Sequence, residues 1–237
     1  DELGQLARDF NKMAEQLESM WGAQKRLLAD VSHELRSPLA RLQMALGLAH
    51  QQNVDPATLS RVEREADRME ALVSQLLTLS RAEAGEANMQ KHALSLVLND
   101  VLTDANFEVA NKNKQLKIDD IPKKTVVIDS MMFCRAVENV LRNAIRHSKL
   151  VTHIAFSEDA QHWCIHITDD GDGLTIEECE RIFSPFYRAT LARERESGGV
   201  GLGLSIAKAA VELHHGRIIA EPAERGGLRV TMSFPKL

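Results

Sequence analysis

Asn139 and Asn143 lie four residues apart in Glu138-Asn139-Val140-Leu141-Arg142-Asn143-Ala144-Ile145-Arg146-His147. The apolar spacing of that segment predicts a helix over about residues 130–147, so the two amides share one helix face. Carboxamide oxygens are hard ligands of the kind that Mg²⁺ accepts while it keeps several waters and bridges phosphates. Arg146 and His147 follow on the same helix, available to phosphate oxygens or a ribose. Taken alone, two asparagines on a helix are no more than a solvated face.

A second cluster, Asp169-Asp170-Gly171-Asp172-Gly173, directly follows a predicted strand. Its glycines let the backbone approach a ligand closely. Asp169, at the strand end, could accept a hydrogen bond from an adenine amino group while rejecting the carbonyl oxygen of guanine. A plain Asp/Gly turn and a calcium loop are the alternatives, and the full calcium-loop spacing is absent. Next come Phe183-Ser184-Pro185-Phe186-Tyr187-Arg188, aromatics beside a base, and a charged stretch over residues 192–197. Gly198-Gly199-Val200-Gly201-Leu202-Gly203-Leu204 then opens a helix predicted over about 202–214. Backbone N–H groups at a helix start, with no side chains in the way, make an anion site suited to phosphates. The loop lacks the Gly-Lys-Ser/Thr of a P-loop and the layout of a dinucleotide fold.

A nucleophile stands far from these clusters in Ser32-His33-Glu34-Leu35-Arg36-Ser37-Pro38-Leu39. Val31 and Leu35 belong to an apolar stripe, so His33, at about 200° from Val31 around the helix, faces solvent. Exposed histidines are usually only surface, and the other eight are read so. Glu34 distinguishes this one, because it can hold the proton of one ring nitrogen and leave the other as a nucleophile. Pro38 removes a helical hydrogen bond and bends the helix one turn further on.

The elements that must position these groups fall into two parts. Leu3, Leu6, Phe10, Met13, Leu17 and Met20 recur at steps of 3 and 4, a heptad seam. Leu27, Val31, Leu35 and Leu42 continue it to a helix end near residues 51–53, and Asp55-Pro56 starts a second helix. There Leu59, Val62, Ala66, Met69, Val73 and Leu76 resume the seam. A hairpin of two such helices leaves apolar surface wet, which two copies solve as a four-helix bundle, so a homodimer is expected. A Gly/Glu/Ala-rich linker over 82–88 precedes helices predicted at 94–111, 130–147 and 202–214. Strands are predicted at 116–118, 125–128, 152–157, 162–168, 217–220 and 227–234. That order implies an α/β sandwich with helices on one face of a mixed sheet.

Composition narrows the field. A net charge of −5 argues against a broad basic face for nucleic acid. Cys134, Cys164 and Cys179 are scattered, which suits a reducing compartment and offers neither a disulfide framework nor a zinc site. No run of 18 apolar residues occurs. The first residue is Asp1 rather than Met, so a piece of something longer is expected.

The segment around His33 closely resembles the H-box of bacterial sensor histidine kinases. The four later clusters, in this order, resemble the N, G1, F and G2 boxes of their ATP-binding domain. The implied fold is an α-helical hairpin forming a dimeric four-helix bundle, then an α/β sandwich of the Bergerat (GHKL) ATPase type. The implied domains are the end of a HAMP relay and a coiled coil at 1–20, a dimerisation and phosphotransfer domain at 21–87, and a catalytic domain at 88–237. By that resemblance His33 is the phosphoacceptor, Glu34 orients it, and Ser37 aims a water in a phosphatase reaction. ATP would meet Asn139, Asn143, Arg146, His147, Asp169, Gly171, Gly173, Arg188, Gly199, Gly201, Leu202 and Gly203, with Mg²⁺ on Asn143 and Asn139. The implied partners are a second copy and a response regulator docking near Arg41 and Met44. The implied place is the cytoplasmic portion of a bacterial inner-membrane protein, with no direct nucleic-acid contact. The chain departs from the family at Ser37, where Thr is usual, and at Val200, where a hydroxyl is common. An ATP-driven conformational machine and a silent scaffold are the rival readings. The first has no need of His33-Glu34, and the second would tolerate loss of the nucleotide boxes.

Overall fold

The structure, a computed structural model, describes residues 40, 42–44, 47, 56–85, 87–185, 187, 201–224 and 226–236. His33, Glu34, Ser37, Pro38, Arg41, Arg188, Gly199, Val200 and the expected relay segment 1–20 lie outside the described residues. The chain divides into two compact units, Asp1–Ala84 and Gly85–Leu237.

In the first unit residues 40, 42–44 and 47 are helical, and α1 spans Pro56–Glu83. Pro56 opens α1, where a missing N–H costs nothing, and Arg81 in the last turn opposes the helix dipole. The helix runs two residues into the predicted linker, which therefore starts after Glu83 rather than at Ala82; Ala84 N–H still donates to the Ser80 carbonyl at 2.9 Å. Leu59, Ala66, Val73, Leu77 and Ser80 are buried, whereas Val62 and Met69 of the same seam are 36% and 42% exposed. Across the hairpin, Gln43 Nε2 donates to Glu70 Oε2 at 2.9 Å.

The second unit is built on a five-stranded sheet. Its strands are β2 (Gln115–Ile118), β4 (Val151–Glu158), β5 (His162–Asp169), β6 (Arg217–Pro222) and β7 (Leu228–Pro235), in the order β2-β4-β5-β7-β6. Only β2 and β4 run parallel, and the remaining pairs are antiparallel. Two strands not foreseen together, β1 (Gln90–Ala93) and β3 (Thr125–Ile128), form a separate antiparallel ribbon. Helices α2 (Leu94–Asn111), α3 (Ser130–His147) and α5 (Gly203–Leu213) bury apolar stripes, and a short α4 (Ile176–Arg181) packs on β6. This is the α/β sandwich with a mixed sheet that the pattern of elements implies.

Period-2 alternation decides what meets the helices. In β5 the buried row is Trp163, Ile165, Ile167 and Asp169, and in β7 it is Leu228, Val230, Met232 and Phe234. Asp169 is thus carried into the interior as the last member of an apolar row. Phe133 of α3 fills the opposite end of the core, 5.9 Å from Trp163 and 5.4 Å from Phe234 between ring centroids. Among the described residues no helix is long and apolar enough to cross a membrane.

Candidate functional site

α3 is set by its caps before its side chains matter. Asp129 takes the N-cap, its Oδ1 accepting from Met132 N–H at 3.0 Å. At the other end Lys114 Nζ donates to the carbonyls of Ile145 (2.7 Å), Arg146 (3.3 Å) and Ser148 (2.5 Å), satisfying orphan acceptors and opposing the dipole. Eight apolar side chains, from Met132 to Ile145, face the core. The stripe leaves Asn139 and Asn143 half-buried at its edge, and Arg146 and His147 exposed at the end. Although the residue as a whole is exposed, partial desolvation of the His147 ring, then the positive Arg146 and Lys114, hold the imidazole below its ordinary range.

Asp169 is the most constrained group of the site. Its residue is 4% exposed, and its Oδ1 accepts from Gly171 N–H at 2.9 Å and Leu228 N–H at 3.3 Å. Burial raises its carboxyl above the ordinary range, and those two amides act against that rise. Among the described residues nothing donates to Oδ2, so one oxygen is anchored and the other accepts no bond. Asp170 turns the other way and accepts from Lys149 N–H (2.7 Å) and Leu150 N–H (3.0 Å), fixing the turn into β4. Directly across the sheet from Asp169 stands Thr152, 0% exposed, whose Oγ1 has no hydrogen-bond partner among the described residues.

Glycines allow the elements to close on Asp169. A Cβ on Gly171 would run into the His147 carbonyl and lie 2.8 Å from Asp169 Oδ1. Gly173 has φ +74°, and its added Cβ would lie 2.9 Å from the Gly227 carbonyl oxygen. Gly227, at φ +90°, sits where any side chain would collide with the Asp169 carbonyl. Gly226 and Gly227 were not singled out from the sequence, although a Gly-Gly pair before a strand is a turn signal.

The start of α5 completes the group. Gly201 has φ +83°, and Leu202 is the N-cap position with no side-chain cap. Leu202 is 0% exposed, so its side chain belongs to the core and only its backbone faces the loop. The first-turn N–H groups of α5 therefore receive no cap from the Leu202 side chain, the arrangement that suits an anion. A Cβ on Gly203 would lie 2.9 Å from Asn139 Oδ1, so the asparagine rests against the helix start. Asn139 Nδ2 donates to the Arg135 carbonyl at 2.8 Å, which turns Oδ1 toward α5. No described residue bonds the side chain of Asn143. Asp169, Gly171 and the His147 carbonyl thus meet at one place, with Gly173 held there through Gly227; Asn139 and Gly203 meet at another, which Gly201 and Leu202 border, and α3 carries both His147 and Asn139. Among the described residues the side chain of Arg146 makes no bond that would fix it there.

Comparison with known proteins settles the family. Residues 23–85 match the family model "His Kinase A (phospho-acceptor) domain", and residues 128–237 match "Histidine kinase-, DNA gyrase B-, and HSP90-like ATPase". The chain belongs to the sensor histidine kinases. It is 38% identical over 234 residues to the sensor histidine kinase CpxA of Escherichia coli K12, covering 95% of this chain and 50% of that protein. It is 35% identical over 251 residues to the sensor histidine kinase MtrB of Mycobacterium bovis, covering 98% of this chain and 44% of that protein. The chain therefore spans about half the length of these relatives. The fold is also that of full-length ShkA in complex with AMPPNP, with a TM-score of 0.75 and 19% identity over 89% of this chain and 45% of that one. The Acinetobacter baumannii histidine kinase AdeS matches at a TM-score of 0.62 and 22% identity, covering 86% of this chain and 97% of that one.

Proposed function

We propose that this chain phosphorylates its own His33 from ATP and passes the phosphoryl group to an aspartate of a response regulator. The observation that carries the nucleotide half is the convergence on Asp169. A buried carboxylate with one anchored oxygen is closely approached by glycine backbone, and α3, which ends at His147 beside it, carries Asn139 against the start of α5. Asp169 Oδ2 accepts from the adenine amino group, and the first-turn amides of α5 take phosphate oxygens. Arg146 and Arg188 supply further positive charge to the phosphates.

The donor set fits Mg²⁺ held by amide oxygens and phosphates, hard oxygen ligands of the kind the ion accepts while it keeps several waters. Asn143, unbonded, and Asn139 beside it would hold the ion, whose charge neutralises the phosphates. His33 Nε2 attacks the γ-phosphorus in line while Glu34 holds the Nδ1 proton, and ADP departs. Little covalent work falls to the protein in such a transfer, so positioning and charge neutralisation dominate.

The same reading extends to assembly and partners. Val62 and Met69, exposed within the α1 seam, supply the apolar face through which a second copy completes a four-helix bundle. The regulator docks on that bundle near Arg41 and Met44, and Met44 is 72% exposed. Glu34 and Ser37, at i and i+3, address a water that removes phosphate from the regulator. The reading keeps the end of a HAMP relay and a coiled coil at 1–20, with this part on the cytoplasmic side of a membrane-anchored sensor.

Incubation with γ-labelled ATP tests the reading. Acid-labile, base-stable label is expected in the parent chain and none in His33→Gln, which should bind nucleotide normally. Label that persists in His33→Gln overturns the assignment.

A further inference from the structure

Asp129 and His214 lie 85 residues apart and far from the nucleotide recess, yet they are joined in the interior. The Asp129 backbone N–H donates to His214 Nε2 at 3.0 Å, and His214 Nδ1 lies 2.6 Å from the Ala210 carbonyl. A carbonyl only accepts and a backbone N–H only donates, so the ring is neutral with its proton on Nδ1. It is 5% exposed and stands edge-on to Phe133 and Phe234, at 6.2 and 6.1 Å between centroids. Asp129 spends both carboxylate oxygens: Oδ1 caps α3 at Met132 N–H, and Oδ2 accepts from Asn88 N–H at 2.9 Å. Asn88 belongs to the segment by which the chain enters this unit.

The two helices joined here are the two that form the nucleotide recess. Asp129 begins α3 and His214 follows α5, whereas Asn139, midway along α3, meets Gly203 at the start of α5. The helices are therefore antiparallel, bonded where α3 begins and α5 ends, and in packing contact where α5 begins. Ten to fourteen residues separate Asp129 from Asn139 and Asn143, about 15–20 Å along a helix at ~1.5 Å per residue. A close-packed helix pair transmits a shift at one end to the other, since such interiors are not freely compressible.

We infer that Asp129 and His214 are positioning residues for the nucleotide site: they lock the far ends of α3 and α5 together and fasten the incoming segment, through Asn88, to the same point. This inference rests on ATP binding at Asp169. By reciprocity, whatever nucleotide does to the α3–α5 spacing is felt at the lock, and release of the lock is felt by the nucleotide.

Hydrogen exchange on the parent chain tests this without any substitution. Saturating Mg-ADP should slow the amides of Asn88 and Asp129 by three-fold or more. Absence of any binding would refute the nucleotide reading and this inference with it, whereas binding with both amides unchanged would refute the lock alone. Variants supply the second arm. His214→Gln keeps an acceptor near the Nε2 position and should hold the KM for ATP within about three-fold of the parent. His214→Phe keeps the ring and loses both bonds; in protein with a parental circular-dichroism spectrum it should raise KM ten-fold or more. A parental KM in His214→Phe, or an equal defect in His214→Gln, would overturn the proposal. Should His214→Phe fail to fold, Asp129→Ser, which keeps the cap but cannot also hold Asn88, decides. Its Asn88 amide should no longer respond to Mg-ADP, and a full response would contradict the tie.

Discussion

Gly203→Ala separates binding from stability at this site. The added methyl would stand 2.9 Å from Asn139 Oδ1, and its nearest contacts are all atoms of that one side chain rather than backbone. Gly203 has no positive φ, so alanine suits its backbone. Alanine gains up to about 1 kcal/mol of helix propensity. Displacing Asn139 breaks its bond to the Arg135 carbonyl, a loss of about 0.5–1.5 kcal/mol. These nearly cancel, so the midpoint of urea unfolding should correspond to a change within about 1 kcal/mol. Nucleotide binding should not escape. A hydrogen bond that Asn139 Oδ1 accepts from a metal-bound water is worth about 1.5–3 kcal/mol, which is about 10- to 100-fold in affinity. The comparison is Gly171→Ala, whose methyl meets the His147 backbone carbonyl and cannot be relieved by a side-chain rotation. That variant should lose both stability and affinity. Calorimetric titration with Mg-ADP beside urea unfolding gives both numbers. Parental affinity in Gly203→Ala would refute Asn139 as a contact, and a loss of several kcal/mol in stability would refute the packing argument.

Further outcomes follow from single groups. Thr152→Val removes a fully buried hydroxyl without a partner at nearly constant shape, so it should stabilise the fold by about 1–2 kcal/mol in urea unfolding; destabilisation would mean that the hydroxyl is satisfied. Because burial raises the Asp169 carboxyl, the folded chain holds that proton more tightly than the unfolded one. Its stability contribution is present below the ordinary carboxylate range and is lost as pH rises through the raised value. ADP affinity should rise over the same window as the carboxylate forms, and calorimetry in Asp169→Asn should show no such rise. Lys114→Met removes the three bonds that close the α3 C-terminus and should cost about 1–3 kcal/mol, read as a lowered denaturation midpoint.

Much of this fold is written locally. The stripe of α3, Asp129 ahead of it, and the alternation in β5 and β7 are short-range signals, and these elements form where their patterns place them. β1, with the sequence Gln90-Lys91-His92-Ala93, has no alternation to read and exists because β3 offers it a partner. α4 was overlooked although Thr175 and Glu178 form a capping box, the one local mark a six-residue helix can carry. Of the nucleotide recess, Asp169, Asn139 and the glycines of the later loop were legible as residue types in a familiar order. The anchoring of Asp169 by Leu228 N–H, its closure by Gly227 and the link from His214 to Asp129 depend on contacts 58 to 85 residues apart. No local pattern encodes such distances. Exposure of Val62 and Met69 is likewise a property of one chain by itself, which a seam read from sequence cannot distinguish from burial.

The most direct test is to locate the phosphoryl group itself. After incubation with Mg-ATP, the parent chain should carry one added phosphoryl group on the peptide containing His33, detected by mass spectrometry under alkaline conditions. Asn143→Ala should carry none. A phosphoryl group on any other residue, or an unmodified His33 in protein shown to bind and turn over ATP, would contradict the account.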